Sequence, residues 1–318
     1  MTFHVTPLTN KGLLSPQIRE ALKTLARQAG GDPILKIRAF VAGSGDVRRV
    51  RDLVSEVFTE RRQPLPALSL IRCGGLPMEG SQVVLEAIAQ SRKEVNPHGL
   101  AFLSGHVATS ADPLDPVAPL ISQSLAALRQ EVKAAGAEPA GVVRVTCFLS
   151  SLENLAASRQ MVEGEYPHAA HNFVQTERAP GRAVAGCEAV ARLNSEPSGP
   201  LTFPAVEGVR AEAGQSPVAL VGASQVVLTG TQISFGNQEQ DSRLAFERLK
   251  RELEQAGVSF GDVAFAHYYP LSGGMALQLR KLRQELLGGP HPPAGTMLQF
   301  EGLPSMDAGF AVDVVAVK

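Results

Sequence analysis

The chain has 318 residues, 44% of them apolar and 19% charged, with a formal net charge of −1. This is a globular composition, long enough for two or three domains. The near-neutral balance and the absence of Trp argue against nucleic acid, an acidic membrane surface or a base-stacking platform as partner.

The first residues, Met1 to Thr6, lack the pattern of a signal peptide, and no apolar run approaches the roughly 18 residues of a membrane span. The cytoplasm is therefore the expected compartment. Cys73, Cys147 and Cys187 are odd in number and far apart in sequence. They are expected to be buried thiols, not a disulfide framework or a metal site.

In chain order, the spacing of apolar residues predicts a first helix over Pro16–Ala29. Ser15 is its N-cap, and Ile18, Leu22, Leu25 and Ala29 face inward. A β-rich run follows at Ile34–Val41, a second helix at Val47–Phe58, and a closing strand at Val83–Ala89. The same order returns with a helix over Val117–Ala135, a strand at Val142–Leu149, a helix at Leu152–Val162 and a strand at Ala183–Val190. It returns again with a helix over Gln240–Ala256, a strand at Val263–Tyr269, a helix at Ala276–Leu287 and a strand at Phe310–Val317. Gly30, Gly136 and Gly257 follow the long helices, where a left-handed C-cap favours glycine.

With one more strand between the second helix and the closing strand of each copy, the order helix–strand–helix–strand–strand occurs three times, which is the mark of an internal repeat. Extra strands precede the second and third copies. They are Leu100–His106 for the second, and Val218–Val221 and Val226–Ile233 for the third. Only Phe3–Thr6 is available to the first copy, which reads as truncated at its N-terminus. The expected units are 1–92, 96–195 and 204–318.

Several motifs resemble the YjgF/Rid (reactive intermediate deaminase, endoribonuclease L-PSP-like) family. Phe102-Leu-Ser-Gly-His-Val looks like its strand ending in Ser-Gly-Gln, and Gln123-Ser-Leu-Ala-Ala-Leu like its first helix. Glu188-Ala-Val-Ala resembles its closing strand. Pro66-Ala67 with Leu76-Pro77, and Pro293-Ala294 with Leu303-Pro304, resemble its Pro-Ala-Arg turn and the Leu-Pro that follows. The resemblance implies an α+β fold of chorismate-mutase-like units, each a mixed sheet with two helices on one face. Three fused units would form a pseudo-trimer around a barrel-like core, with ligand clefts between units.

The resemblance also implies hydrolytic deamination of enamines or imines. In that chemistry an arginine holds the substrate carboxylate and a glutamate on the last strand positions water. The acidic position falls on Glu86, Glu188 and Asp313. The arginine position falls on Leu68, His171 and Gly295, so no unit retains it.

Two sets of residues are candidates to replace the missing arginine. Arg51, Arg159 and Arg280 each lie eleven residues after an aromatic of the preceding strand (Phe40, Phe148, Tyr269). They are either anion contacts or exposed helix arginines. His171 is a candidate proton carrier beside Glu188, and His106 a candidate cleft residue. His168 and His171 lack a third ligand at suitable spacing, so no metal is expected, and no cofactor motif is present. Ser104-Gly105 and Thr229-Gly230 lack the surroundings of a nucleophile elbow.

The expected partner is a small carboxylate, imine or keto acid, bound by a monomer or a dimer of it, with no nucleic acid or membrane partner. The competing readings are a non-catalytic binding or regulatory protein and a chorismatase-like hydrolase.

Overall fold

The computed structural model describes residues 1–43, 45–209 and 212–318. The first elements are β1 (Thr2–Val5), α1 (Leu14–Gln28), β2 (Ile34–Val41), α2 (Arg48–Glu60), β3 (Ala67–Arg72) and β4 (Val83–Ala89). They build a sheet of order β1-β4-β2-β3. Next come β5 (Leu100–Ser110), α3 (Val117–Ala134), β6 (Val142–Leu149), α4 (Leu155–Glu165), β7 (Ala170–Gln175), β8 (Ala183–Arg192), β9 (Leu201–Thr202) and β10 (Val218–Val221). Their sheet has the order β7-β6-β8-β5-β10-β9. The chain ends with β11 (Val226–Leu228), β12 (Gln232–Phe235), α5 (Glu239–Gln255), β13 (Val263–Pro270), α6 (Gly273–Leu286), β14 (Ala294–Met297) and β15 (Ala308–Val317). The third sheet runs β11-β15-β13-β14, with β12 also on β15. The fold is mixed α+β, with six α-helices among the described residues, none of them long and apolar enough to cross a membrane.

Each sheet pairs its central strands by the same rule. β2, β6 and β13 run antiparallel to β4, β8 and β15, and parallel to β3, β7 and β14. Parallel partners need a crossover, and α2, α4 and α6 supply it.

Alternation along the strands divides the side chains between two faces. Ile37, Ala39, Leu85 and Ala87 pack under α1 and α2. Val145, Leu149, Ala185 and Ala189 pack under α3 and α4. Val312, Val314 and Tyr268 pack under α5 and α6. Each fully buried Leu, Ile or Phe contributes about 1.5–3 kcal/mol. The opposite faces of the three sheets meet one another. Phe40, Val84, Phe148, Tyr269 and Ala311 form one apolar cluster there, and Ile88, Phe102, Val190, Phe265 and Val315 a second.

Three details depart from the sequence reading. The strand Val218–Val221 does not join the third sheet; it pairs antiparallel with Leu100–Leu103 of the second. Ser15 does not cap α1, which begins at Leu14 with Leu13 as its extended N-cap residue, so Pro16 sits inside the first turn. Cys147 and Cys187 are bonded as a disulfide, and only Cys73 is a free buried thiol. Their separation of 40 residues hid a pair that the antiparallel register of β6 and β8 sets directly opposite. The glycines after the long helices do adopt positive φ, +60° at Gly30, +65° at Gly136 and +80° at Gly257.

Backbone hydrogen bonds tie the sheets at one end. Gly74 N donates to Gln175 O at 2.8 Å, Glu301 N to Thr176 O at 3.1 Å, and Arg72 N to Gly302 O at 2.8 Å. Each of the three sheets is thereby joined to the other two.

Candidate functional site

The three acidic candidates come together where the sheets meet, not in clefts between them. In each sheet the acid lies on the closing strand, opposite a matching position of the central strand: Arg38 faces Glu86, Thr146 faces Glu188 and His267 faces Asp313. Two residues earlier on the central strands stand Lys36, Arg144 and Phe265, and two later Phe40, Phe148 and Tyr269. The strand period of two places all these side chains on the inter-sheet face. The result is a charged layer between two apolar clusters.

Hydrogen bonds link all three sheets within this layer. Arg38 donates through Nε to Glu86 (2.8 Å) and through Nη2 to Glu188 (2.7 Å). Thr146 Oγ1 (2.7 Å) and Asn172 Nδ2 (2.6 Å) both donate to Glu86 Oε1. Lys36 pairs with Asp313 and donates to the Thr229 carbonyl at 2.9 Å. Ser69 Oγ (2.8 Å) and Tyr269 OH (3.1 Å) donate to Asp313 Oδ2. The His267 ring bridges Asp313 and Glu188, with each nitrogen 3.0 Å from a carboxylate oxygen.

Burial pushes the carboxyls up, but the neighbouring cations outweigh it. Glu86 lies below the usual carboxylate range beside Arg38 and Arg144. Glu188 lies well below it beside Arg38 and His267, and Asp313 is held down by Lys36 and His267. Burial also pulls Lys36 and Arg144 below their usual values, against the pull of Asp313 and Glu86 respectively. Three ionised acids with almost every oxygen engaged make a structural node.

His171 and Glu188 do not share a cleft. His171 pairs in register with Val145 and lies on the face of Phe173, beneath α4, whereas Glu188 lies on the opposite face with Thr146 and Asn172. A one-residue offset in a strand reverses the side-chain direction. Burial lowers the His171 pKa, and Arg159 and Glu163 act on it from α4. Arg159 is exposed, 3.6 Å from Glu163 and over the Phe173 ring. Arg51 is exposed on α2. His106 pairs with Glu131 of α3; burial pushes that carboxyl up to about 7, and the pairing raises His106 despite its own burial.

The positions matching the family's arginine are closed at two of the three contacts between sheets. Gly230 approaches Leu68 so nearly that a β-carbon would lie 2.9 Å from the Leu68 carbonyl oxygen, and Thr231 N donates to that oxygen. Gly105 N donates to Thr296 Oγ1 (3.1 Å), and Gly295 N to Ser104 Oγ (2.8 Å). Ser104-Gly105 and Thr229-Gly230 are therefore packing points between sheets. The first forms a register shift in the β5–β8 ladder.

A cleft opens between the second and third sheets. It has a volume of about 640 Å³ and lies between the second sheet and α6. The second sheet contributes Val107, Thr109 and Val184, with the loop from Thr176 to Arg182. The third contributes Pro270, Ala276, Arg280 and Gln299. Arg280 and Arg182 are both exposed. On the same cleft wall, Glu177 accepts from Gln299 Nε2 at 2.8 Å, and partial burial raises its pKa. Arg182 and Glu177 escaped the sequence reading, because they lie in the β7–β8 loop, where no periodicity marks a direction. No group of His, Cys, Asp and Glu suited to a metal occurs among the described residues.

Residues 89–196 match the family model described as Endoribonuclease L-PSP. This segment is of the YjgF/Rid family. The match covers β5 to β8 of the second sheet with α3 and α4, the part that carries Glu188 and His171. Part of the chain is also similar to solved structures. A putative endoribonuclease L-PSP from Entamoeba histolytica is 24% identical over 37% of this chain and 99% of its own, with a TM-score of 0.28. Rv2704 from Mycobacterium tuberculosis, of the YjgF/YER057c/UK114 family, is 19% identical over 37% and 99%, with a TM-score of 0.28. The Rid protein YyfB from Yersinia pestis is 14% identical over 38% and 100%, with a TM-score of 0.36. No curated protein matches the chain.

Proposed function

We propose that the chain is a single-chain ring of three Rid-like units (1–92, 96–195 and 204–318, with the strand Val218–Val221 lent to the second sheet) that binds a small carboxylate, of the keto-acid or imine class, between its second and third units. The observation that carries this reading is the 640 Å³ cleft lined by Arg280 from one side and Arg182 from the other. Two guanidinium groups suit a carboxylate through paired N–H donors. The cleft is large enough for such a ligand. The near-zero net charge gives no basis for a nucleic-acid partner. A ring closed within one chain acts as a monomer of 33.6 kDa, or as a dimer through its outer faces.

Turnover is a second reading, and Glu177 favours it. A half-buried carboxyl with a raised pKa on the wall of the same cleft is suited to activate water against a bound imine. Against it stands the closure of the arginine positions at Leu68 and Gly295.

The test is calorimetric binding of 2-oxobutyrate, together with ammonia release from 2-aminoacrylate generated in situ. Wild type is compared with Arg280→Ala, Arg182→Ala and Glu177→Gln. Binding that weakens in both arginine variants supports the cleft. Ammonia release that fails in Glu177→Gln adds turnover. Binding unchanged in both arginine variants rejects the cleft.

A further inference from the structure

The charged layer encloses a cavity of about 20 Å³, lined by Lys36, Arg38, Glu86, Arg144 and His267 with apolar Ile88, Phe102, Phe265 and Val315. That space suits one water-sized occupant and excludes a carboxylate or phosphate. Two of its lining residues carry buried N–H groups with no hydrogen-bond partner, Arg38 Nη1 and Arg144 Nε. The one other unpartnered atom of the layer, Glu188 Oε2, belongs to a residue that does not line the cavity.

Charge balance narrows the occupant further. His267 places each ring nitrogen 3.0 Å from a carboxylate oxygen. A neutral imidazole has a single N–H, so donating to both acids takes the doubly protonated ring. The cations are then Lys36, Arg38, Arg144 and His267, and the acids Glu86, Glu188 and Asp313, which leaves one uncompensated positive charge. A buried net charge is costly unless it is paired. Of the three acids, only Glu86 lines the cavity, so its wall is mainly cationic.

We propose that this axial cavity binds one small monovalent anion, of the halide class, as the counter-ion of the layer. Arg38 and Arg144 donate to it, and His267 provides the charge that it balances. The site is separate from the proposed carboxylate cleft and stands whether or not that cleft binds.

Bromide is the probe. Full-length protein is crystallised from sodium bromide, and anomalous differences are measured. In parallel, urea unfolding is compared in bromide and in gluconate at one ionic strength. The expected result is a single anomalous peak within hydrogen-bond distance of Arg38 Nη1 and Arg144 Nε. The folding equilibrium constant should rise roughly tenfold when bromide stands at about ten times its Kd. His267→Gln should abolish that salt dependence. No anomalous peak, with identical unfolding in the two salts, overturns the proposal and assigns the cavity to water. Retention of the bromide effect in His267→Gln overturns the charge argument. The anomalous measurement on the wild type decides the question even if that variant does not fold.

Discussion

Charge is used in opposite ways at the centre of the molecule and in the cleft beside α6. At the centre, Arg38 is 3% exposed and joined to two acids from different sheets. In the cleft, Arg280 is exposed, with no ion pair among the described residues. A buried charge removed from its partners is expensive, whereas an exposed one contributes little to stability. The centre therefore holds the fold, and the cleft is free to meet a ligand.

The largest effect that would break this contrast comes from Arg38→Met. It leaves Glu86 and Glu188 buried without their main cation, and should cost about 3–5 kcal/mol in urea unfolding. A loss below 1 kcal/mol would mean that the central pairs are not the structural node described. Next is Gly230→Val, whose β-carbon would lie 2.9 Å from the Leu68 carbonyl oxygen. The first and third sheets would have to separate, at about 1–3 kcal/mol, read as a lower melting temperature.

Asp313 sharpens the comparison through pH. Its carboxyl is depressed in the folded chain by Lys36 and His267 despite burial, against about 4 when unfolded. The stability it contributes is therefore complete above pH about 4 and is lost as the pH falls below that value. Asp313→Asn should flatten the acid limb of a melting-temperature profile, and an unchanged limb would remove Asp313 from the account. The smallest effect belongs to Arg280→Ala. Stability should change by no more than about 0.5 kcal/mol, while 2-oxobutyrate binding weakens about tenfold, or about 1.4 kcal/mol.

The helices and central strands were legible in the sequence because their apolar periods are long. The acids Glu86, Glu188 and Asp313 were legible as related positions, but not as neighbours of one another. Their meeting depends on how three sheets pack, and no local pattern encodes that. Lys36, Arg38, Arg144 and His267 lie within strands that read as β-rich runs, and nothing local says which face of the sheet they take. Val218–Val221 went to the wrong sheet because adjacency in sequence favoured the strand that follows it. The Cys147–Cys187 pair was hidden for the same reason: it is set by register across a sheet.

The side chains facing the acids differ at every matching position: Arg38, Thr146 and His267, and two residues earlier Lys36, Arg144 and Phe265. The charge of the layer thus depends on which sheets meet. Three copies of the first would crowd six cations against three acids, and three copies of the third would surround three aspartates with histidines alone. The segments are consequently not interchangeable parts. Their order along one chain ensures a fixed stoichiometry that separate, identical subunits would have no means to enforce.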